Sequence, residues 1–267
     1  IVTKNKLILL DGHSLVFRAF YALHSQLERM KNSNGLHTNA LYGFHNMLDS
    51  IMQKEQPTHA LVAFDAGSTT FRHEFFDDYK GGRDSMPGEL AEQMPYLKEM
   101  LEGFGIKYYE LPNYEADDII GTLANQAAAE DFEVVIISGD KDLTQLTTEN
   151  IRVDITVKGV SNLEAYTPDT VKELMGVRAD QIVDYLGLSG DPSDNIPGVT
   201  GVGHKTAIKL LEEYDTIENL YEHIDEMNQS KRKENLINEK DKAFLSRQLA
   251  QIDTKAPIEV GVSDTNY

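Results

Sequence analysis

The sequence predicts an α/β fold with a mainly parallel, twisted sheet, followed by a helical region. Three short apolar runs at residues 7–11, 60–65 and 134–140 each end on an aspartate, and continuous runs of this kind are typical of buried parallel strands. Beyond about residue 170 the spacing of apolar residues is helical and no further strand pattern follows. An α/β class with helices on both faces of the sheet and a helical C-terminal region is therefore expected.

Strands and helices alternate along the first part of the chain. Thr38 is a good N-cap for the second helix, and Gly103 or Gly105 would end the helix before the third strand. Residues 66–88 are polar and weakly periodic, which is typical of a lid or binding loop. The predicted elements are a strand at 6–11, helices at 17–27 and 38–52, a strand at 59–65, a helix at about 89–103, a strand at 106–110, a helix from 114 or 115 to about 130, and strands at 133–138, 151–156 and 163–166.

A boundary is predicted where the strands stop. Thr167-Pro168-Asp169 is a strong helix start, because proline suits the first position of a helix. We expect an α/β body at 1–175, a helical region at 176–260 and a tail or linker at 261–267. Because the chain opens on Ile1 and ends in a polar run, we also expect it to be part of a longer protein.

The composition excludes several classes of protein. The 267 residues contain no cysteine, so disulfides, thiolate zinc sites and cysteine nucleophiles are excluded, and a reducing cytoplasm is the expected compartment. The first apolar run is too short for a signal peptide or a membrane span. The net charge of −19 argues against a nucleic-acid partner, but bound divalent ions invert the local field of an acidic site.

Acidic residues accumulate well beyond the three strand ends. Six more stand in three short clusters, and each cluster alone has a simple explanation, as a helix cap or an ordinary turn. Glu115 and Asp118, for example, lie one turn apart at a helix start. Together with the strand ends, the clusters supply these nine carboxylates: Asp11, Asp65, Glu115, Asp117, Asp118, Asp140, Asp142, Asp191 and Asp194.

So many acids predict a metal site. The carboxyl ends of parallel strands meet at one edge of the sheet, so the aspartates that end them would repel one another unless a cation neutralised them. Oxygen ligands without His or Cys suit Mg²⁺ or Mn²⁺ rather than zinc. The number of acids exceeds the need of one ion, and two ions are the usual arrangement for phosphodiester hydrolysis.

A basic segment follows the second strand. Lys80 and Arg83 flank two glycines and could hold a phosphate, and Tyr79 could stack on an unpaired base. Arg72, in the preceding Phe-Arg-His-Glu run, is a further candidate for DNA contact. The alternative interpretation is a solvated loop whose charges have no role.

A glycine-rich turn lies in the helical region. Residues 198–207 are not a Walker motif, because His204 separates Gly203 from Lys205 and no strand precedes them. What remains is a glycine turn that opens a helix and offers backbone amides to phosphate. We interpret it as a helix–hairpin–helix that grips a DNA backbone through Gly201, Gly203, Lys205 and Thr206. The run at 231–233 is better explained as a solvated helix face.

These motifs, in this order and over essentially the whole chain, closely resemble the 5′-nuclease domain of bacterial DNA polymerase I, in the flap endonuclease superfamily. The resemblance rests on Asp11, Phe64-Asp65, Phe71-Arg72-His73-Glu74, Tyr79-Lys80-Gly81-Gly82-Arg83, Tyr114-Glu115-Ala116-Asp117-Asp118, Gly139-Asp140-Lys141-Asp142, Gly190-Asp191-Pro192-Ser193-Asp194-Asn195 and the glycine run from Pro197 to Ala207. His13 stands where this family would lead us to expect Asn.

The resemblance implies a fold, an activity and roles for residues. It implies a PIN-like body with a helical arch at about 66–100, a helix–hairpin–helix of the H3TH type, and a 5′→3′ exonuclease and flap endonuclease that removes RNA primers and 5′ flaps in replication and repair. Asp11, Asp65, Glu115, Asp117 and Asp118 would surround the catalytic ion, and Asp140, Asp142, Asp191 and Asp194 the second. Lys80 and Arg83 would steer the scissile phosphate, and K⁺ could bind the glycine hairpin.

The implied partners are branched or flapped DNA, primer hybrids of RNA with DNA, and a polymerase region that follows in the intact, monomeric protein. Two alternatives within enzymes are a stand-alone exonuclease paralogue and a PIN-type ribonuclease, which usually lacks the helical region and the hairpin. A DNA-binding scaffold with a decayed site is a third alternative. It would predict missing acids or a lost Lys80, and neither is seen.

Overall fold

The computed structural model describes residues 4–159 and 162–267, which fall into two compact units. The α/β unit contains the residues up to Ser68, Ser85–Thr167 and Asp253–Tyr267, and the helical unit contains Thr69–Asp84 and Pro168–Ile252. The predicted class, a mainly parallel sheet with a helical C-terminal region, is confirmed. No helix in the described part of the chain has both the length and the apolar character that a membrane crossing requires.

The α/β unit is built on a six-stranded sheet in the order β3-β2-β1-β4-β5-β6. All neighbouring strands are parallel except β5 and β6, which pair antiparallel. β1 is central, so its last residue lies between the ends of β2 and β4. The strands are β1 (Lys6–Asp11), β2 (His59–Phe64), β3 (Lys107–Glu110), β4 (Glu133–Ser138), β5 (Ile151–Lys158) and β6 (Asn162–Tyr166).

Helices cover both faces of this sheet. Alternate strand residues such as Ile8 and Leu10 join a buried core with α1, α2 and α4, while α5 contacts β1, β2 and β4. The period-2 alternation of strand side chains sends the intervening residues, such as Leu9, to the other face. The helices of this unit are α1 (Gly12–Ala22), α2 (Asn39–Glu55), α3 (Gly88–Ala91), α4 (Met94–Phe104) and α5 (Ala116–Ala129).

The helical unit contains six short α-helices, and 3₁₀ turns lie in several of the segments that connect them. α7 packs on α8 and α11, and α8 packs on α9. The helices are α6 (Pro168–Met175), α7 (Ile182–Ser189), α8 (His204–Tyr214), α9 (Ile217–Glu222), α10 (Lys231–Asn238) and α11 (Lys240–Ala250). A 3₁₀ turn at Phe71–Glu74 also belongs to this unit, because Thr69–Asp84 folds with it rather than with the sheet.

Two predicted helix starts differ from the structure. α1 begins at Gly12 rather than near Phe17, because the Asp11 side chain accepts a hydrogen bond from the Ser14 amide (3.5 Å) and caps the helix directly at the strand end. Thr38 makes no capping bond at the start of α2. The amides of Ala40 and Leu41 instead donate to Oε1 of Gln93, at 3.0 and 3.1 Å.

The predicted domain limits also differ from the structure. The segment predicted as an arch, 66–100, is divided: its first part joins the helical unit, and Leu90 and Leu97 are buried in the core of the α/β unit. The predicted tail, 261–267, is part of the α/β unit. Thr265 is buried, and the Tyr267 amide donates to the Thr58 carbonyl at 2.9 Å, which ties the end of the chain to the sheet.

Candidate active site

The α/β unit gathers acids at the carboxyl ends of three neighbouring strands. Asp11 is the last residue of β1, Asp65 directly follows β2, and Asp140 stands two residues after β4. Since β1 pairs in parallel with both β2 and β4, the three ends lie along one edge of the sheet. In open α/β sheets this edge is where ligands bind. The predicted convergence of the strand ends is therefore realised in the structure.

The pKa of Asp11, at the centre of this edge, is strongly raised. It is buried, with 6% of its surface exposed, and its Oδ2 accepts a hydrogen bond from the Ser138 hydroxyl at 2.7 Å. Burial, followed by the negative charges of Asp65 and Asp140, raises the pKa of Asp11 to about 7, and the Ser138 hydrogen bond only partly opposes this rise. The surroundings of Asp11 thus favour an added cation.

Ser138 links two of the acids. Its hydroxyl donates to Asp11 and accepts from the Asp140 amide at 3.0 Å, so one side chain fixes both strand ends. Ser14 acts similarly one step away, where its Oγ accepts from the Gly139 amide at 2.8 Å. Neither serine was singled out from the sequence. The only available signal was a small polar residue directly before the Gly-Asp turn.

His13 supports the Asp65 backbone. Its Nδ1 accepts from the Asp65 amide at 3.1 Å, and its ring lies edge-on to Phe64 with centroids 5.4 Å apart. Burial lowers the pKa of His13 and outweighs the opposite effect of the Asp65 charge, so the neutral ring is favoured. The residue that departs from the family pattern therefore contributes a neutral acceptor and no fixed charge.

The acids around α5 hold backbone groups. One Asp65 oxygen accepts from the Ala116 amide at 2.7 Å, at the start of α5. Asp118 is fully buried, and its two oxygens accept from the amides of Glu115 (3.1 Å) and Asp253 (2.9 Å). Asp118 therefore fastens α5 to the returning segment at 253. The capping interpretation of this cluster describes what Asp118 does in the structure, and its role near an ion stays a prediction.

Three further candidate acids of the α/β unit are partly accessible, whereas Glu115 is buried. Asp117 lies in the first turn of α5, and Asp140 and Asp142 stand in the turn after β4, where an Asp140 oxygen accepts from the Asp142 amide at 2.9 Å. All three side chains are half-buried. Carboxylate oxygens crowded around a buried acid of raised pKa are the donor set that Mg²⁺ and Mn²⁺ prefer, so this edge fits a divalent ion.

In the helical unit, the predicted basic loop is attached to the acidic segment at 191–194. The Lys80 amide donates to the Asp194 carbonyl at 2.8 Å, and Arg83 forms an ion pair with the Asp194 carboxylate. Lys80 adopts a left-handed backbone with φ of 56°, and the turn continues into Gly82 with φ of 91°. The structure therefore places Lys80 and Arg83 beside Asp194, whose side chain is buried.

Two other predicted DNA contacts are not accessible side chains. Arg72 is 2% exposed, and its guanidinium donates to the carbonyls of Leu249 (3.0 Å) and Gln251 (2.7 Å), where it satisfies the end of α11. Tyr79 is 5% exposed and packs edge-on against His73. Each was predicted as a surface residue because basic and aromatic residues in a polar segment resemble a binding loop. Both instead fix the segment in place.

The glycine hairpin is exposed and rigidly supported. Gly201 has φ of 80°, which residues with a Cβ rarely adopt. The side-chain Nδ2 of Asn235 donates to the Thr200 carbonyl at 3.0 Å. The Thr200 hydroxyl donates to Glu239 at 2.9 Å. Gly201, Gly203 and Lys205 are exposed, Thr206 is half-buried, and α8 begins at His204, so the amide-rich start of a helix faces solvent as predicted.

Comparisons with known families cover residues 6–267 of the chain. A model described as "5'-3' exonuclease, N-terminal resolvase-like domain" matches residues 6–176, and one described as "5'-3' exonuclease, C-terminal SAM fold" matches 177–267. The junction of these matches lies close to the predicted boundary at 175.

Similar curated proteins are longer than this chain. DNA polymerase I of Lactococcus lactis subsp. cremoris (strain MG1363) is 57% identical over 264 residues, which are 98% of this chain and 30% of that protein. DNA polymerase I of Bacillus subtilis (strain 168) is 55% identical over 264 residues, 99% of this chain and 30% of that protein. The chain therefore spans about 30% of the length of these relatives.

Similar solved structures support the fold. The 5′-exonuclease of bacteriophage T5, with bound zinc, has a TM-score of 0.76 at 23% identity and covers 94% of this chain and 90% of that one. The flap endonuclease of bacteriophage T5, in a complex with DNA and metal ions, has a TM-score of 0.75 at 22% identity, with 94% and 89% covered. At these identities the likeness concerns the fold.

Proposed function

Since the chain belongs to the 5′-3′ exonuclease family, we propose that it is a divalent-metal-dependent 5′ nuclease that hydrolyses phosphodiester bonds at 5′ ends and 5′ flaps. Family membership agrees with the resemblance inferred from the motifs. The observation that carries the chemistry is Asp11, which is buried beside Asp65 and Asp140 with its pKa raised to about 7. An acid in this position is best explained by a divalent ion that replaces its proton.

The residues of the sheet edge would hold and orient the catalytic ion. Asp11 and Asp65 supply oxygens at the ends of β1 and β2, Ser138 orients Asp11, and the Ala116 amide orients Asp65. A bound divalent ion lowers the pKa of the attacking water and stabilises charge on the scissile phosphate. His13, as a neutral acceptor of the Asp65 amide, keeps that carboxylate in place without adding positive charge that would compete with the ion.

Two ions are proposed on the number of acids. Asp140 and Asp142 stand in the turn after β4 and would contribute to the second. Asp191 and Asp194 belong to the helical unit, and their assignment to the second ion rests on the resemblance of their motif. We propose Mg²⁺ or Mn²⁺ for both ions, because all nine candidate ligands are carboxylates.

DNA would be held by the helical unit. The exposed amides around Gly201 and Gly203, together with Lys205 and Thr206 at the start of α8, suit a phosphate backbone read without regard to sequence, with K⁺ as a further ligand of the hairpin. Lys80 and Arg83 would contact the scissile phosphate. The Lys80 amide donates to the Asp194 carbonyl and Arg83 Nε donates to the Ser193 carbonyl, which supports a defined position for this loop.

The biological setting is proposed from the relatives. Similar proteins are bacterial DNA polymerases I of which this chain matches about 30%. We therefore propose that a polymerase region follows in the intact protein, that RNA primers and displaced flaps are the substrates, and that the monomeric protein works in the bacterial cytoplasm.

Product mapping tests the proposed function. A 5′-flap DNA labelled at its flap end is incubated with the protein in EDTA, Mg²⁺ or Mn²⁺. The expected result is a cut at the junction between flap and duplex only when a divalent ion is present. A blunt duplex without a free 5′ strand and a single strand of the same sequence serve as controls. Cleavage in EDTA, or equal random cleavage of all substrates, would contradict the proposal.

A further inference from the structure

Hydrogen bonds join two loops of the helical unit, and four of them carry the argument. The first loop is 78–83 and the second is 193–195. The bonds run from Asn195 Nδ2 to the Asp78 carbonyl (2.7 Å), from the Lys80 amide to the Asp194 carbonyl (2.8 Å), from Arg83 Nε to the Ser193 carbonyl (3.2 Å), and from Arg83 Nη2 to Asp194 Oδ1.

One of these bonds differs in kind from the others. Three of them end on backbone carbonyls, which stay neutral under all conditions. The bond from Arg83 to Asp194 joins opposite charges, and the Asp194 side chain is 8% exposed while that of Arg83 is 52% exposed. A buried carboxylate is stabilised by an opposite charge, and the guanidinium of the half-exposed Arg83 provides one for Asp194.

Arg83 donates to Oδ1 of Asp194, one of the two carboxylate oxygens open to a metal. A guanidinium has hydrogen-bond donors and no acceptor, so Arg83 cannot itself be a ligand of the ion that Asp194 binds. A divalent ion bound about 2.1 Å from an Asp194 oxygen would also repel the guanidinium that contacts the same carboxylate. Arg83 and a divalent ion are thus alternative partners of Asp194.

We propose that Arg83 is a built-in competitor for the divalent ion at Asp194. This inference rests on the proposed function, in which Asp194 is a metal ligand. In the metal-free protein Arg83 neutralises Asp194 and closes loop 78–83 onto loop 193–195. When Asp194 takes a divalent ion, the Arg83 side chain is released and becomes available to a phosphate.

Lys80 stays in place during this exchange. Its link to Asp194 uses the backbone amide and carbonyl, and Asn195 holds the Asp78 carbonyl independently. The backbone of loop 78–83 therefore stays attached to loop 193–195 when Arg83 is released. The pairing makes the basic charge of Arg83 available only after Asp194 has been neutralised by the ion.

Mn²⁺ binding tests the competition directly. Free Mn²⁺ is measured by electron paramagnetic resonance during titration of wild-type protein, Arg83→Ala and Arg83→Gln. The Mn²⁺ site at Asp194, expected to be the weaker of the two, should bind Mn²⁺ about tenfold more tightly in both variants than in wild type. The loss of one close competing charge can produce a change of this size. Arg83→Lys keeps the charge but not the forked donor geometry, so its Mn²⁺ affinity should lie between that of wild type and that of the two neutral variants. Arg178→Ala removes an exposed arginine that pairs with Asp180 and Asp215, and should match wild type.

The outcomes separate this inference from the proposed function. If wild-type protein binds no Mn²⁺, the proposed function fails and the competition fails with it. If wild type binds Mn²⁺ but Arg83→Ala and Arg83→Gln bind equally or more weakly, the proposed function stands and the competition is refuted. Unfolding curves of each variant in EDTA confirm that it is folded, and Arg83→Gln provides the test if Arg83→Ala is not.

A second readout follows Arg83 itself. In protein labelled with ¹⁵N-arginine, the Nε–H signal of Arg83, assigned by its loss in Arg83→Gln, reports on the bond to Ser193. Mg²⁺ should shift this signal toward that of exposed arginines in wild type. It should not do so in Asp194→Asn, which lacks the carboxylate. A shift of the Arg83 signal of equal size in wild type and Asp194→Asn would contradict an exchange at Asp194.

Discussion

The α/β unit contains two groups of acids, each with at least one buried member, that differ in how their charge is balanced. Near the starts of the strands, Glu55 and Asp154 pair with Lys6 and Arg152, and we call these four residues the paired cluster. At the strand ends, Asp11, Asp65 and Asp140 form the open cluster, where the nearby charges that most affect Asp11 are both negative. The two groups share the same sheet, so the contrast lies in their neighbours.

The pKa values show the consequence of this difference. Burial by itself would raise the pKa of Glu55, but the hydrogen bond from Lys6 and the charge of Arg152 outweigh it and lower the pKa. Burial and two neighbouring carboxylates raise the pKa of Asp11 to about 7. The sheet supplies lysine and arginine to Glu55, whereas the charges that act most strongly on Asp11 are negative, so a divalent ion would stabilise the ionised form of Asp11.

The largest expected effect is the loss of cleavage in Asp65→Ala. Asp65 adjoins Asp11 and would hold the catalytic ion, and metal stabilisation of the transition state is worth several kcal/mol. Flap cleavage should fall by about a thousandfold or more, which corresponds to about 4 kcal/mol. DNA binding, measured by fluorescence anisotropy in Ca²⁺, should change little.

Asp118→Ala is the matched comparison for this variant. Both Asp118 oxygens accept backbone amides, so its loss should lower the free energy of unfolding by about 2–3 kcal/mol in addition to any loss of cleavage. Asp65→Ala loses one such bond, from the Ala116 amide, but also relieves repulsion with Asp11, so it should lower stability in EDTA less than Asp118→Ala does. If Asp65→Ala cleaved flaps at the wild-type rate, Asp65 would not be a ligand of the catalytic ion.

Arg152→Ala should damage the paired cluster without affecting metal binding. It leaves Glu55 and Asp154 with Lys6 as the remaining cation of the cluster, and breaking a buried pair typically costs about 3–5 kcal/mol. Urea unfolding measures the loss, and Mn²⁺ affinity should stay at the wild-type value. The control is Arg178→Ala, on the exposed surface, where the loss should be below about 1 kcal/mol. A changed Mn²⁺ affinity in Arg152→Ala would show that the two clusters are not independent.

Asp11→Asn should remove a pH dependence that the open cluster creates. Asp11 has a folded pKa of about 7 against an ordinary 3.8, so the folded state binds this proton more tightly. The resulting stability is complete below pH 3.8 and is lost as the pH rises through 7. At about 1.4 kcal/mol per pKa unit the upper limit is about 4 kcal/mol, and coupling to the neighbouring acids reduces the expected loss to about 2.

The measurement compares unfolding free energies in EDTA between pH 5 and 8. Wild type should lose about 2 kcal/mol more than Asp11→Asn over this range. Millimolar Mg²⁺ should restore the wild-type stability at pH 8, because the ion binds the folded state preferentially, and should restore the variant less. Parallel pH profiles for the two proteins in EDTA would refute the raised pKa.

The open cluster could be predicted because its signal is local. Each apolar run ends on an acid, and the parallel topology then brings Asp11, Asp65 and Asp140 to one edge. The class of fold follows from the same runs and from the helical spacing after Pro168. The paired cluster was not predicted, since its partners lie on α2, β1 and β5 and no short pattern connects them.

Contacts between distant segments explain the other differences. Gln93 caps α2 in place of Thr38 from 53 residues away in sequence. The Arg72 side chain is buried against carbonyls near residue 250, and nothing in its own segment indicates this. Backbone groups accept any nearby donor, so a residue's own type and neighbours do not reveal such pairings.

The smallest expected effect, and the finest test of the open cluster, is Ser138→Ala. The Ser138 hydroxyl opposes the raised pKa of Asp11 more strongly than the Ser14 amide does, so its removal should raise that pKa further. More of Asp11 is then protonated at neutral pH, and a proton and a divalent ion compete for the same oxygens. Mn²⁺ affinity at pH 7 should fall by about fivefold, the effect of about 1 kcal/mol from one hydrogen bond.

The pH dependence of this loss distinguishes protonation from displacement of the site. At pH 9 Asp11 is ionised in both proteins, so the affinities of Ser138→Ala and wild type should converge. Ser14→Ala is the matched control, because Ser14 Oγ holds the Gly139 amide in the same turn without donating to Asp11. An equal loss at pH 7 and pH 9 would mean that Ser138 positions the strand end and does not tune the charge of Asp11. Convergence at pH 9 would show that the open cluster is balanced by protons until a cation replaces them, whereas the paired cluster carries its balance in its own side chains.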